Sequence, residues 1–139
     1  MRQRTFIILK PETVARGFAG KIITRIEKTD LKIIAMKLVT ISQDQAEILY
    51  EAHKEKPFFD KLIDHITSGP VIIILMEGED AVVAIRQLCG KTNPLEAETG
   101  SIRRMYGLNI TMNAIHAADS VKNAQRESDI FFESDEIIN

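Results

Sequence analysis

Val71-Ile72-Ile73-Ile74-Leu75-Met76, entered through the turn Ser68-Gly69-Pro70, is the longest apolar stretch of the chain and is mostly β-branched. A continuous run of this kind, without polar alternation, predicts a central strand covered on both faces. Thr5 to Leu9 predicts a second strand, stopped by Pro11 because proline has no N–H to give to a sheet ladder. Lys10 therefore sits at a strand end. Leu31 to Ile41 predicts a third strand, and Asn113-Ala114-Ile115-His116 a short fourth.

Helices fill the intervals. From Gly20 onward Ile22, Ile23 and Ile26 repeat at helical spacing between Lys21, Arg25 and Lys28. Ser42-Gln43-Asp44-Gln45 matches a capping box that opens a helix through Tyr50, and Pro57 suits the first turn of the next, with Phe58, Leu62 and Ile66 along one side. Glu79 to Leu88 predicts a helix ended by Gly90, and a last one starts at Ser120 with Val121, Ala124 and Phe131 facing inward. Between them, Lys91 to Asn109 has weak periodicity apart from a short apolar turn near Ile102, and a long irregular segment of this kind tends to be functional. The order, βα-β-αα-β-α-β-α, predicts an α+β fold: a ferredoxin-like antiparallel βαββαβ sheet with helices packed on it. At 139 residues and 45% hydrophobic composition, the chain is expected to form a single domain over 1–139.

Composition narrows the function classes. No apolar stretch approaches the roughly 20 residues needed to cross a bilayer, and Met1-Arg2-Gln3-Arg4 leads into a strand rather than a signal core, so a soluble cytoplasmic protein is expected. The single cysteine, Cys89, can form neither an internal disulfide nor a thiolate metal cluster. A net charge of −2 argues against a broad nucleic-acid surface but allows a local cationic pocket.

Among the three histidines, His53 and His65 fall on predicted helices among charged neighbours, as solvated residues do. His116 instead ends a short strand beside Ala117 and Ala118, ahead of Asp119-Ser120. Lys10, Arg86 and Arg103 border predicted loops, where phosphate-binding groups usually sit, and Thr92-Asn93-Pro94 adds a hydroxyl and a turn. A guanidinium is a planar fork matched to phosphate oxygens, so two arginines with Lys10 and Thr92 could hold a polyphosphate. Neither GxxxxGK[ST] nor GxGxxG occurs, so a nucleotide site here is neither Walker nor Rossmann in type. Phe58 and Phe59 are open to two readings: both in the core, or one stacked on a base.

The pieces Phe6-Ile7-Ile8-Leu9-Lys10-Pro11, Arg16-Gly17, Lys56-Pro57-Phe58-Phe59, Ser68-Gly69-Pro70-Val71, Thr92-Asn93-Pro94, Gly100-Ser101-Ile102-Arg103 and Asn113-Ala114-Ile115-His116 with Asp119-Ser120 resemble nucleoside diphosphate kinases in the same order and at the family's spacing. The likeness runs over nearly the whole chain, which resembles short bacterial members without a longer C-terminal tail. It implies a ping-pong transfer of the γ-phosphate of a nucleoside triphosphate, typically ATP, to a nucleoside diphosphate through phospho-His116. In that scheme Glu127 orients the imidazole, and Lys10, Tyr50, Arg86, Thr92 and Arg103 contact the transferring phosphate or its neighbours. Lys10 and Asn113 reach the ribose hydroxyls, Phe58 stacks on the base, and Leu62 and Ile110 complete an apolar slot. The implied cofactor is Mg²⁺ carried on the nucleotide phosphates, with no metal cage in the protein. The implied assembly is a homo-oligomer, tetramer or hexamer, built from a common dimer. The chain departs from the family pattern at Ala117 and Ala118, where Gly and Ser are usual, and at Thr99, Met105 and Ala52. The competing readings are a catalytically impaired member of that family and a ferredoxin-like nucleotide- or RNA-binding module without kinase activity.

Overall fold

The computed structural model describes residues 1–138. Strand β1 (Arg2–Leu9) leads into a short helix α1 (Pro11–Ala15) and then α2 (Ala19–Glu27). β2 (Lys32–Val39) is followed by α3 (Gln43–Leu49) and α4 (Phe59–Ile66), and β3 (Val71–Glu79) by α5 (Ala81–Cys89). A one-and-a-half-turn helix α6 (Ile102–Tyr106), the three-residue strand β4 (Ile115–Ala117) and α7 (Val121–Phe131) complete the order. The four strands form one sheet in the order β2-β3-β1-β4, and every neighbouring pair is antiparallel.

The two innermost strands are the two most apolar runs, and their alternation feeds two cores. Phe6 and Ile8 of β1 join Ile73 and Leu75 of β3 in a cluster closed by α3, α4 and α7. Ile7 and Leu9 join Ile74 and Met76 in a second cluster closed by α2 and α5. Burial on both faces is the physical reason for an unbroken apolar stretch in an antiparallel sheet.

Local chemistry sets most boundaries. The Ser42 capping box forms as expected: Ser42 Oγ accepts from the Gln45 N–H, and the Gln45 side chain accepts from the Ser42 N–H. Ser120 caps α7 by accepting from the Asn123 N–H at 3.0 Å. Four expectations need correction. Glu79 belongs to β3, and the following helix starts at Ala81, after Asp80 turns the chain with φ 48°. Pro57 lies ahead of α4, which begins at Phe59. Pro11 opens the separate helix α1, which the weak pattern of five residues concealed. Val121, the first residue of α7, is 48% exposed, whereas Ala124 and Phe131 enter the core.

Candidate active site

Strand alternation decides which way His116 faces. Ile115 and Ala117 enter the α2/α5 core, so His116 between them lies on the opposite face, where α7 packs. Glu127 is buried on α7, and its Oε1 stands 2.7 Å from His116 Nε2. A carboxylate only accepts, so Nε2 carries the proton and Nδ1 keeps the free lone pair. Phe6 and Tyr50 meet the imidazole edge-on, with ring centroids 6.4 and 6.3 Å away. The ring is therefore held by one charged hydrogen bond and two aromatic edges.

The backbone just before it is unusual. Ala114 has φ 77°, and the Ile115 N–H donates to the Asn113 carbonyl at 3.0 Å, a γ-turn of the rare, strained hand. Such a conformation costs about 1–3 kcal/mol and persists only where surroundings over-determine it. Here they do. The Ala114 N–H donates to Glu12 Oε2 at 2.9 Å, and its carbonyl accepts from Thr13 Oγ1 at 2.8 Å and from the Lys10 N–H at 3.0 Å.

Cations gather beside the imidazole. Lys10, just beyond β1, is buried and donates from Nζ to the Thr111 carbonyl at 3.0 Å. Burial lowers its ammonium to about 8, with Glu12 opposing the shift and Arg103 adding to it. Arg103, reached from α6, is buried and donates to the Gly90 and Ile115 carbonyls, both at 2.9 Å, while its Nε has no partner. Gly90, at φ 82°, has no space for a side chain: a Cβ there would stand 2.5 Å from Ser101 Oγ. Arg86 stays exposed at the rim, with a long contact of 3.4 Å to the Ala117 carbonyl. Asn113 donates to the Thr92 carbonyl at 3.0 Å, and its Oδ1 is buried without a partner. Orphaned buried polar atoms are uncommon, and two of them in one cavity mark places for ligand groups. The Tyr50 phenol is driven upward by burial and by the charges of Glu127 and Glu12, so it remains a neutral donor.

All eleven residues singled out from the sequence line one cavity of about 520 Å³: Lys10, Tyr50, Phe58, Leu62, Arg86, Thr92, Arg103, Ile110, Asn113, His116 and Glu127. Its outer end is apolar, with Phe58 44% and Ile110 59% exposed and Leu62 half-buried beside them. The Phe pair thus divides: Phe59 packs on the core and Phe58 faces the cavity. Arg103 points inward: one N–H of each terminal nitrogen ties β4 to the end of α5, and its other N–H groups are not spent on these two contacts. His65 is not solvated either; its Nε2 lies 2.7 Å from Glu12 Oε1, and the pair is largely buried. Sequence reading missed Glu12, Thr13 and Arg126, whose guanidinium donates to the Ile48 and Leu49 carbonyls and so ties α7 to the end of α3. A Pro-Glu-Thr triplet right after a strand was the available signal for the first two.

Among the described residues no group of three or more His, Cys, Asp or Glu side chains is placed to cage a metal ion. Asp119, exposed at the cavity mouth, is held below the usual carboxylate range mainly by its hydrogen bond from Asn123. Among the described residues no helix is long and apolar enough to cross a membrane.

Comparison with known proteins adds a third line. The family model described as nucleoside diphosphate kinase matches residues 3–137. The nucleoside diphosphate kinase of Archaeoglobus fulgidus is 48% identical over 99% of this chain and 91% of its own length, and that of Saccharolobus solfataricus 49% identical over 97% and 98%. Among solved structures, the Aquifex aeolicus nucleoside diphosphate kinase superposes with a TM-score of 0.97 at 38% identity, covering 99% of this chain and all of that one. A halophilic nucleoside diphosphate kinase from Halobacterium salinarum, solved in complex with CDP, superposes with a TM-score of 0.96 at 40% identity, covering 100% of this chain and 93% of that one. Fold, cavity and likeness over almost every residue converge, and the chain belongs to the nucleoside diphosphate kinase family.

Proposed function

We infer that this protein is a nucleoside diphosphate kinase that works through a phosphorylated histidine. The observation that carries the reading is the His116–Glu127 pair set in the floor of a cavity rich in cations. With Nε2–H engaged by Glu127, Nδ1 is the nucleophile. It attacks the γ-phosphorus of a nucleoside triphosphate; the N–P bond forms as the bond from phosphorus to the β,γ-bridging oxygen breaks, and the diphosphate leaves. A β-phosphate oxygen of a second diphosphate then attacks the same phosphorus, the N–P bond breaks, and neutral His116 returns. Glu127 stabilises the positive charge that develops on the ring during the first step, as a buried carboxylate does for an imidazolium.

Lys10, Arg103 and Arg86 neutralise the equatorial phosphate oxygens, and Tyr50 and Thr92 supply neutral donors. Asn113 and Lys10 hold the ribose hydroxyls, which gives the orphaned Asn113 Oδ1 a donor. Phe58 stacks on the base against Leu62 and Ile110. Mg²⁺ carried on the nucleotide phosphates would add charge neutralisation there, and Asp119, an exposed carboxylate of the cavity lining, would face its water shell. The working protein is a cytoplasmic homo-oligomer, and the whole of 1–139 acts as one catalytic domain.

The decisive experiment incubates the protein with γ-labelled ATP and no acceptor. A protein-bound label that is stable to base, labile to acid, discharged by added diphosphate and absent in His116→Ala is expected. Turnover retained in His116→Ala would overturn the mechanism.

A further inference from the structure

We propose that Glu12, locked by His65, is a positioning residue for His116, acting through the strained turn at Ala114. This rests on the reading of His116 as the phosphorylated residue. The two oxygens of the Glu12 carboxylate are spent on different partners: Oε2 accepts the Ala114 N–H at 2.9 Å, and Oε1 lies 2.7 Å from His65 Nε2. Ala114 is two positions before His116 and holds φ 77°. An L-residue relaxes out of that conformation unless its amide is held, and the N–H released would be buried without a partner. Thr13 Oγ1 grips the carbonyl of the same residue, so α1 holds both backbone polar groups of Ala114, one on each of the peptide links that flank its Cα.

The geometry explains why the carboxylate is buried at all. Burial alone would raise the Glu12 carboxyl, but its hydrogen bonds to His65 and to the Ala114 N–H outweigh that and lower it, so the acceptor stays ionised. His65 comes from α4, a separate element from the strand that carries the nucleophile. The chain His65–Glu12–Ala114 thus ties a helix with no phosphate-binding role to the register of β4. Near-attack geometry is sensitive to shifts of about 1 Å, so a turn that relaxes should slow chemistry more than binding.

The test measures, by rapid quench at pH 7 and saturating Mg·ATP, the rate of phosphohistidine formation, together with the Kd for ADP. Glu12→Ala is expected to lower the rate tenfold or more while the Kd changes less than the rate. Glu12→Gln, which keeps an acceptor for the Ala114 N–H, should return to within about threefold of the unaltered protein. A Glu12→Ala rate within twofold of the unaltered protein overturns the proposal; so does a Gln variant as slow as the Ala variant, since charge rather than the held turn would then be the contribution. Should Glu12→Ala fail to fold, Thr13→Val removes one of the two hydrogen bonds to the Ala114 carbonyl, the Lys10 N–H keeping the other, with little change of volume. A rate lowered threefold or more supports the proposal, and one within twofold overturns it. If the unaltered protein forms no phosphohistidine, it is the kinase reading that fails, and the two failures are distinguishable in one experiment.

Discussion

The inner and outer ends of the cavity are built on opposite principles. Inside, Lys10, Arg103, Asn113 and Glu127 are buried, and each is fixed by hydrogen bonds to the backbone or to His116. Outside, Phe58 and Ile110 stand exposed at a helix start and on a loop, with no polar group of their own to orient a ligand. The chemistry end is preorganised, so charge meets the transferring phosphate without rearrangement. The outer end is a surface rather than a lock, and under the proposed function it would discriminate little between bases.

The largest expected effect that would test this contrast is at Arg103. Removing one preorganised donor from a reacting phosphate costs about 10²–10³-fold in rate, and Arg103→Ala also releases the carbonyls of Gly90 and Ile115. Steady-state kcat should fall by at least roughly 10²; a loss below tenfold would mean that the inner end is no more preorganised than the outer.

Next comes pH. Lys10 is charged below about 8 and neutral above it, so kcat/KM should be level near pH 7 and fall on the basic side, by roughly tenfold at pH 9. The sign for stability is opposite. Because the folded-state value lies below the ordinary 10.5, the buried ammonium costs stability below pH 8, and that cost disappears as pH rises toward 10.5. A basic limb of kcat/KM that starts only near pH 10 would contradict the role given to Lys10.

Phe58→Ala should weaken nucleotide binding by the value of one stack, about 1–3 kcal/mol, with KM rising and kcat little changed. Purine and pyrimidine diphosphates should suffer alike, and their kcat/KM values should differ by less than roughly 10³ in the unaltered protein. A larger gap would reveal a base-reading group that the apolar slot lacks.

The smallest effect is expected at Ala118. Its side chain is fully buried in the cluster that holds Phe6 and Phe131, and Glu127 Oε2 is 3.9 Å from Arg126 Nη2. Ala118→Ser adds a hydroxyl worth about 0.5–1.5 kcal/mol if it bonds the carboxylate, so phosphohistidine formation should speed up by no more than roughly tenfold. A slower step in rapid-quench measurements would show that the buried hydroxyl finds no partner.

The inner end was the more legible of the two in sequence. Apolar runs marked β1 and β3, the Ser42 box marked α3, and spaced short pieces located the cations and His116. Three things were hidden for physical reasons. The helix α1 has five residues, too few for a period of 3.6 to register. His65 sits among charged neighbours in sequence and beside a buried carboxylate in space, a contact that spans 53 positions. The positive φ of Ala114 is invisible because alanine does not advertise it, unlike glycine at Gly90. Local pattern reports on neighbours along the chain, and these features depend on neighbours across it.

The three-residue strand that bears His116, the proposed nucleophile, has a consequence for how the protein comes into being. β4 pairs with β1 alone, and the hydrogen bonds that fix its approach join residues 101 and 102 positions apart. Closing so long a loop costs entropy that three ladder residues cannot offset by themselves. The β1–β3 and β2–β3 ladders, with eight and seven paired positions, must therefore supply a template before β4 can dock. Catalytic competence is then a late event in folding, and in pulse-labelled hydrogen exchange during refolding the Ala118 amide, which donates to the Phe6 carbonyl, is expected to gain protection after those of Ile73 and Leu75. Simultaneous protection would show instead that both ends of the chain condense in one step.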